Sequence, residues 1–192
     1  MHKLQLSVTI TDMDNIAGNL ILIGLMGAGK TTLGKQLATK LHRDFYDSDQ
    51  VICERTGVSI PTIFEVEGEA GFRFREAAII SELVQQKNIV IATGGGTILQ
   101  IENRLKLQQN GHVVYLHAQP EILLSRIQHD KNRPLLQVSD PLAKLQELYT
   151  VRDPIYRATA HTIIDVDSPY SSKTINRLIR LLRYPSQQLS LL

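Results

Sequence analysis

Gly24-Leu25-Met26-Gly27-Ala28-Gly29-Lys30-Thr31 is the stretch that decides how this chain folds. It fits the phosphate-binding loop pattern G-x-x-x-x-G-K-[ST], and its flanks fit as well. Ahead of it, Leu20-Ile21-Leu22-Ile23 is a short apolar block suited to a buried parallel strand. Behind it, Leu33, Leu37, Ala38 and Leu41 recur at helical spacing, so a helix is expected to start within the loop itself. Glycines let the backbone curl until successive N–H groups point inward at phosphate oxygens. The helix N-terminus adds partial positive charge. Lys30 then reaches the outer phosphates, and the Thr31 hydroxyl helps to hold Mg²⁺. A glycine-rich turn with a chance lysine would explain neither flank. The chain is read as binding a nucleoside triphosphate.

Composition narrows the remaining choices. The 192 residues suit one domain with a substantial core. The 21 Lys and Arg nearly balance the 19 Asp and Glu, and no basic cluster marks a nucleic-acid or membrane surface. Cys53 is the single cysteine, so no intramolecular disulfide can form, and Cys and His show no metal-ligand spacing. No apolar run is long enough for a bilayer, and the first residues lack the apolar core of a secretory signal. A soluble cytoplasmic protein is expected.

Apolar blocks suited to strands fall at 20–23, 44–46, 89–92, 112–116 and 162–166. Amphipathic stretches lie at 30–42, 50–66, 69–86, 98–109, 119–129, 139–157 and 171–183. This alternation predicts an α/β domain: a doubly wound, five-stranded parallel sheet flanked by helices. Ligands of such sheets bind beyond the carboxyl ends of the strands. Three segments stand outside the pattern. Residues 1–19 form an extension with extended-chain alternation at Leu4, Leu6, Val8 and Ile10; it is read as an edge strand, a contact to a second subunit, or disordered. Residues 129–140, polar and interrupted by Pro134, read as a short lid on the domain spanning 20–183. Residues 184–192 read as a flexible tail.

The strand ends carry the chemistry. The second strand finishes Phe45-Tyr46-Asp47-Ser48-Asp49, and carboxylates two residues apart project to one side of an extended chain. One acid can serve Mg²⁺ and the other can accept a hydrogen bond from the hydroxyl that attacks the γ-phosphate. Alternatively Ser48 or Asp49 caps the next helix, and the two readings are compatible. The third strand, 88–93, ends without the acid that often holds Mg²⁺ in phosphate-loop proteins, which strengthens the case for Asp47. Gly94-Gly95-Gly96 follows, either as bare backbone for a ligand or as a tight turn. Arg73, Arg133 and Arg152 are each open to the reading of a solvated charge, and Arg73 to pairing with Glu69 or Glu76 along a helix. The functional reading makes two of them a bidentate carboxylate clamp and the third a stabiliser of the phosphoryl group in flight.

In ordered succession these motifs resemble the shikimate kinase family, within the nucleoside-monophosphate-kinase-like phosphate-loop folds. The resemblance runs from the loop through Asp47-Ser48-Asp49, Arg55-Thr56-Gly57, Ser59-Ile60, Ile63-Phe64, Gly68-Glu69, Phe72-Arg73 and Glu76. It continues through Gly94-Gly95-Gly96, Arg133-Pro134-Leu135 and Arg152-x-Pro154-x-Tyr156, and covers about residues 20–183. The resemblance implies a phosphate-loop kinase fold and transfer of the γ-phosphoryl of ATP to the 3-hydroxyl of shikimate. It implies that Gly27, Ala28, Gly29, Lys30, Thr31 and Thr32 bind ATP, with Thr31 and Asp47 serving Mg²⁺. Asp49 would orient the attacking hydroxyl, Arg73 and Arg152 would grip the shikimate carboxylate, and Gly94–Gly96 would offer backbone contacts. Arg133 would come from the lid to the phosphates. Lys30, Asp49 and Arg133 are the expected catalytic set.

ATP and shikimate are thus the expected partners, in a monomer, with a dimer through residues 1–19 as the alternative. Two rivals share the loop: a kinase of another small acceptor such as gluconate or a nucleoside monophosphate, and a non-catalytic nucleotide-binding module. The Asp47/Asp49 pair, the Arg73 segment and the triple glycine argue against the first. A complete set of Lys, Asp and Arg argues against the second.

Overall fold

The computed structural model describes residues 18–127, 138–166, 175–176 and 178–180. The apolar blocks form β1 (Asn19–Ile23), β2 (Phe45–Asp47), β3 (Val90–Ala92), β4 (Gly111–His117) and β5 (Thr162–Asp165). All five lie parallel in one sheet of order β2-β3-β1-β4-β5. Leu20, Ile21, Leu22 and Ile23 are fully buried, as a central strand covered on both faces must be. Pairing places Ile21 opposite Ile91 on one side and Val113 on the other. The connections run to opposite sides of β1, so the crevice at its carboxyl end is the switch point of the sheet.

The helices are α1 (Lys30–Leu41), α2 (Ser48–Thr56), α3 (Ile60–Leu83), α4 (Ile101–Asn110), α5 (Pro120–Ile127) and α6 (Pro141–Thr159). Leu33, Leu37, Ala38 and Leu41 are the face that α1 buries. The expected helices are redrawn at three places. The stretch 50–66 is broken, because Gly57 ends α2 in the left-handed region (φ 70°) and Ser59 starts α3, accepting from the Thr62 N–H. The stretches around 60–66 and 69–83 are instead joined in α3 across Gly68, whose φ of 69° and ψ of −176° bend the helix. Phe64 and Phe72 meet across this bend with ring centroids 4.9 Å apart. The expected helix at 98–109 is a short 3-10 turn, Thr97–Leu99, followed by α4, because Gln100 is extended (ψ 127°).

Asn19, counted above with the extension, opens β1 and is buried. Its amide donates to the carbonyls of Val84 and Gln86 and accepts from the Ile89 N–H at 3.2 Å, tying β1 to the turn before β3. Residues 1–17, the lid as far as residue 137, and the tail lie outside the described residues. Of the expected helix at 171–183, Ile175, Leu178 and Ile179 are helical and buried. Among the described residues no helix is long and apolar enough to cross a membrane.

Candidate active site

A cleft of about 640 Å³ opens at the carboxyl ends of the strands. The phosphate loop leaves β1 into it and closes on α1 at Gly29, whose carbonyl accepts the Leu33 N–H at 2.9 Å. Gly27, Gly29, Lys30, Thr31 and Thr32 line the cleft, while Ala28 is buried and donates its N–H to the Leu25 carbonyl. The Lys30 ammonium folds back over its own loop, donating to the carbonyls of Gly24 (2.8 Å) and Leu25 (3.0 Å).

Asp47 ends β2 and does two things at once. Its Oδ2 accepts the Thr31 hydroxyl at 2.6 Å, and its Oδ1 caps α2 by accepting the N–H groups of Asp49 and Gln50. The cap is thus Asp47, whereas the sequence suggested Ser48 or Asp49. Strand alternation is not what brings the two carboxylates together either. Asp49 lies in the first turn of α2, yet both acids line the cleft. Buried Ser48 accepts the Gly94 N–H at 3.0 Å and so ties α2 to the glycine segment.

At both ends that segment has no room for side chains. A Cβ on Gly94 would sit 2.6 Å from Asp49 Oδ1 and 2.7 Å from Glu76 Oε1. On Gly96 it would sit 2.2 Å from Arg73 Nη2. Arg73 reaches this point from α3 with its side chain 12% exposed. It donates to Glu76 Oε2 at 2.7 Å and to Glu69 Oε1 at 3.0 and 3.2 Å, and its guanidinium lies 5.2 Å from the Phe72 ring centroid. Burial pulls the Arg73 pKa down, but the carboxylates of Glu76 and Glu69 outweigh it, and the net shift is upward. Both readings of Arg73 hold in geometry: it pairs along its helix and still lines the cleft. Arg152, buried on α6, donates to the Gly95 carbonyl at 3.2 Å. Two guanidinium groups from different helices therefore flank one glycine segment. Arg133 lies outside the described residues.

Three residues do more than the sequence suggested: Glu76 reads there only as a possible helical partner of Arg73, Tyr156 only as part of a motif, and Arg126 is not singled out. Glu76 is fully buried and joins Arg73 to the Thr97 hydroxyl, which donates to Oε1 at 2.6 Å. Its signal was present: it falls on the apolar stripe Phe72, Ile79, Ile80 and Leu83, where a carboxylate needs partners. Tyr156 is fully buried and donates its hydroxyl to the Gly95 carbonyl. Arg126 of α5 lines the cleft and donates to the carbonyls of Gly27 and Val166; a lone arginine on an amphipathic helix carries no such signal in sequence.

Comparison with known proteins follows the same residues. A family model described as shikimate kinase matches residues 26–183. The shikimate kinase of Dechloromonas aromatica (strain RCB) is 53% identical over 176 residues, 92% of this chain and 96% of that protein. That of Neisseria meningitidis serogroup C (strain 053442) is 57% identical over 170 residues, 88% and 99% of the two chains. The solved structure of shikimate kinase from Acinetobacter baumannii in complex with shikimate has a TM-score of 0.81 and 46% identity, covering 93% of this chain and 97% of that one. A gluconokinase from Sinorhizobium meliloti 1021, with a TM-score of 0.55 and 18% identity, shares the fold alone. The matched span takes in Lys30, both carboxylates, the three glycines and all three arginines, and the chain belongs to the shikimate kinase family.

Proposed function

We propose that this chain transfers the γ-phosphoryl group of ATP to the 3-hydroxyl of shikimate, giving shikimate 3-phosphate and ADP for aromatic amino-acid biosynthesis. The observation that carries the reading is the meeting of Arg73 and Arg152 at Gly95 and Gly96, beside Asp49 and facing the phosphate loop. A ring bearing a carboxylate at one end and hydroxyls at the other matches that order of groups. The two guanidinium groups bind the carboxylate, since planar forks suit its two oxygens. Asp49 accepts a hydrogen bond from the 3-hydroxyl and holds its oxygen in line with the γ-phosphorus. Phosphoryl transfer has a loose transition state, so this alignment matters more than removal of the proton.

Gly27 through Thr32 bind the phosphates, and Lys30 exchanges its contacts with the Gly24 and Leu25 carbonyls for phosphate oxygens. Thr31 and Asp47 fit Mg²⁺: they are hard oxygen donors, already 2.6 Å apart, on the nucleotide side of the cleft. When bound there, the ion offsets phosphate charge. Arg133 is assigned to the phosphates on the family pattern alone. The reading places the enzyme in the cytoplasm as a monomer, with a dimer through residues 1–19 as the alternative.

The test is ADP release with ATP·Mg²⁺ and shikimate, beside gluconate, AMP and a control without acceptor. Turnover with shikimate alone is expected. Preference for another acceptor would overturn the clamp, and nucleotide binding without any phosphorylated acceptor would overturn catalysis.

A further inference from the structure

The glycine segment depends on its neighbours for its shape. Gly94 and Gly96 are wedged against Asp49, Glu76 and Arg73, but a Cβ on Gly95 would meet nothing closer than 3.5 Å. Gly95 is therefore bare without being packed, and hydrogen bonds must set its peptide orientation. Its carbonyl receives two donors, both from α6: the Tyr156 hydroxyl, and Arg152 Nη1 at 3.2 Å. Four residues apart, they project from one helix face. The tyrosine is held independently of the cleft. Its ring stacks on Tyr115 of β4, centroids 4.8 Å apart and planes at 21°. The Tyr115 hydroxyl donates in turn to Asp153 Oδ1 at 2.9 Å, and Arg157 pairs with Asp153 Oδ2 at 2.7 Å. Arg152 donates to the same carbonyl, but in the proposed reading its guanidinium is also claimed by the substrate carboxylate.

The geometry points to Tyr156 as a positioning residue for the acceptor, a role that presupposes the shikimate reading above. Its hydroxyl satisfies the Gly95 carbonyl, which holds the bare backbone in shape and releases Arg152 to turn toward the ligand. Without that hydroxyl, Arg152 is the remaining side chain among the described residues seen to donate to this carbonyl. Gly95 is half-buried, and a carbonyl that loses one of two donors leans harder on the other, so the guanidinium is drawn to the backbone and away from the substrate. Burial pushes the Tyr156 hydroxyl well above the ordinary phenol range, so it remains a donor at every working pH. The effect of removing it is correspondingly flat with pH.

The experiment compares Tyr156→Phe with Tyr115→Phe, each the loss of one hydroxyl from the same ring stack. Wild-type turnover with shikimate is measured first; its absence would defeat the kinase reading itself. With that turnover in hand, Y156F is expected to raise KM for shikimate about tenfold, with KM for ATP within about twofold of wild type. The ratio should hold from about pH 6 to about pH 9. Y115F should lower thermal stability and leave KM for shikimate unchanged. An unchanged shikimate KM in Y156F, an equal rise in both KM values, or the same rise in Y115F would each overturn the role. A second readout needs no variant. The Tyr156 hydroxyl proton should exchange slowly enough to give an NMR signal coupled to the Gly95 carbonyl, and rapid exchange of it would also overturn the role.

Discussion

Replacing Gly96 by alanine isolates the contribution of the Arg73 clamp. Gly96 has φ of −102° and ψ of −4°, which alanine adopts without strain, so the substitution acts through its methyl group alone. That methyl would lie 2.2 Å from Arg73 Nη2 and 2.5 Å from its Cζ and Nη1. Ordinary contact needs about 3.5 Å, so the guanidinium must retreat by about 1 Å. An arginine on an open surface would swing aside at little cost. Arg73 is instead latched to buried Glu76 by a 2.7 Å bond, and a shift of that size takes the bond out of range. A hydrogen bond to a charged group contributes about 1.5–3 kcal/mol. At about 1.4 kcal/mol per factor of ten, Gly96→Ala should weaken shikimate binding by about ten- to a hundredfold. The assay is steady-state ADP release, titrating shikimate at saturating ATP and then ATP at saturating shikimate. KM for shikimate should rise and KM for ATP should stay near wild type. If the melting temperature falls but KM for shikimate does not move, Arg73 has been displaced without consequence and the clamp is wrong.

Asp47→Asn keeps an acceptor for the first turn of α2 and removes the charge beside Thr31. Stability should hold in urea while the Mg²⁺ concentration for half-maximal rate rises; Asp47→Ala should lose about 1 kcal/mol of stability as well, through the missing cap. Normal Mg²⁺ dependence in the asparagine variant would remove Asp47 from the metal site. Gly68→Ala has open space around the new methyl, so its cost is backbone strain alone, about 1–3 kcal/mol at that positive φ. An unshifted urea midpoint would rule out the bend in α3. Cys53 lines the cleft, but burial first, and then the charges of Asp49, Asp47 and Glu54, push its thiol pKa up against one backbone hydrogen bond that lowers it. Alkylation at neutral pH should therefore be slower than that of a free thiol and should climb more steeply with pH. A rate equal to the free thiol's would contradict that environment.

Local patterns were the readable part of this chain. Four consecutive apolar residues before a glycine loop can only be buried from both sides, and β1 is. The order of strands in the sheet is a long-range property that no window of sequence contains, although the alternation of elements limited it to a doubly wound form. The break at Gly57-Val58-Ser59 was readable and missed: a glycine followed by a serine and Pro61 is a stop and start signal that hydrophobic periodicity overrides when read alone. Asp47 and Asp49 were found for a mistaken reason, since they share the cleft through a strand-to-helix corner rather than through strand alternation. Glu76 and Tyr156 act on partners 21 and 61 residues away, which sequence spacing cannot express.

The lysine that curls back over its own loop has a consequence for turnover. Lys30 donates to the Gly24 and Leu25 carbonyls, so in the proposed role phosphate oxygens compete with those carbonyls for its ammonium. The free energy available to ATP is the difference between the two sets. That difference is smaller than the attraction of a bare ammonium for a triphosphate. An enzyme that must let ADP go after every cycle benefits from such moderation, because a deeper ground-state well would slow release without helping the chemical step. In the proposed role the loop's carbonyls work as a counterweight: they share the cation with the phosphates and temper its hold on the product.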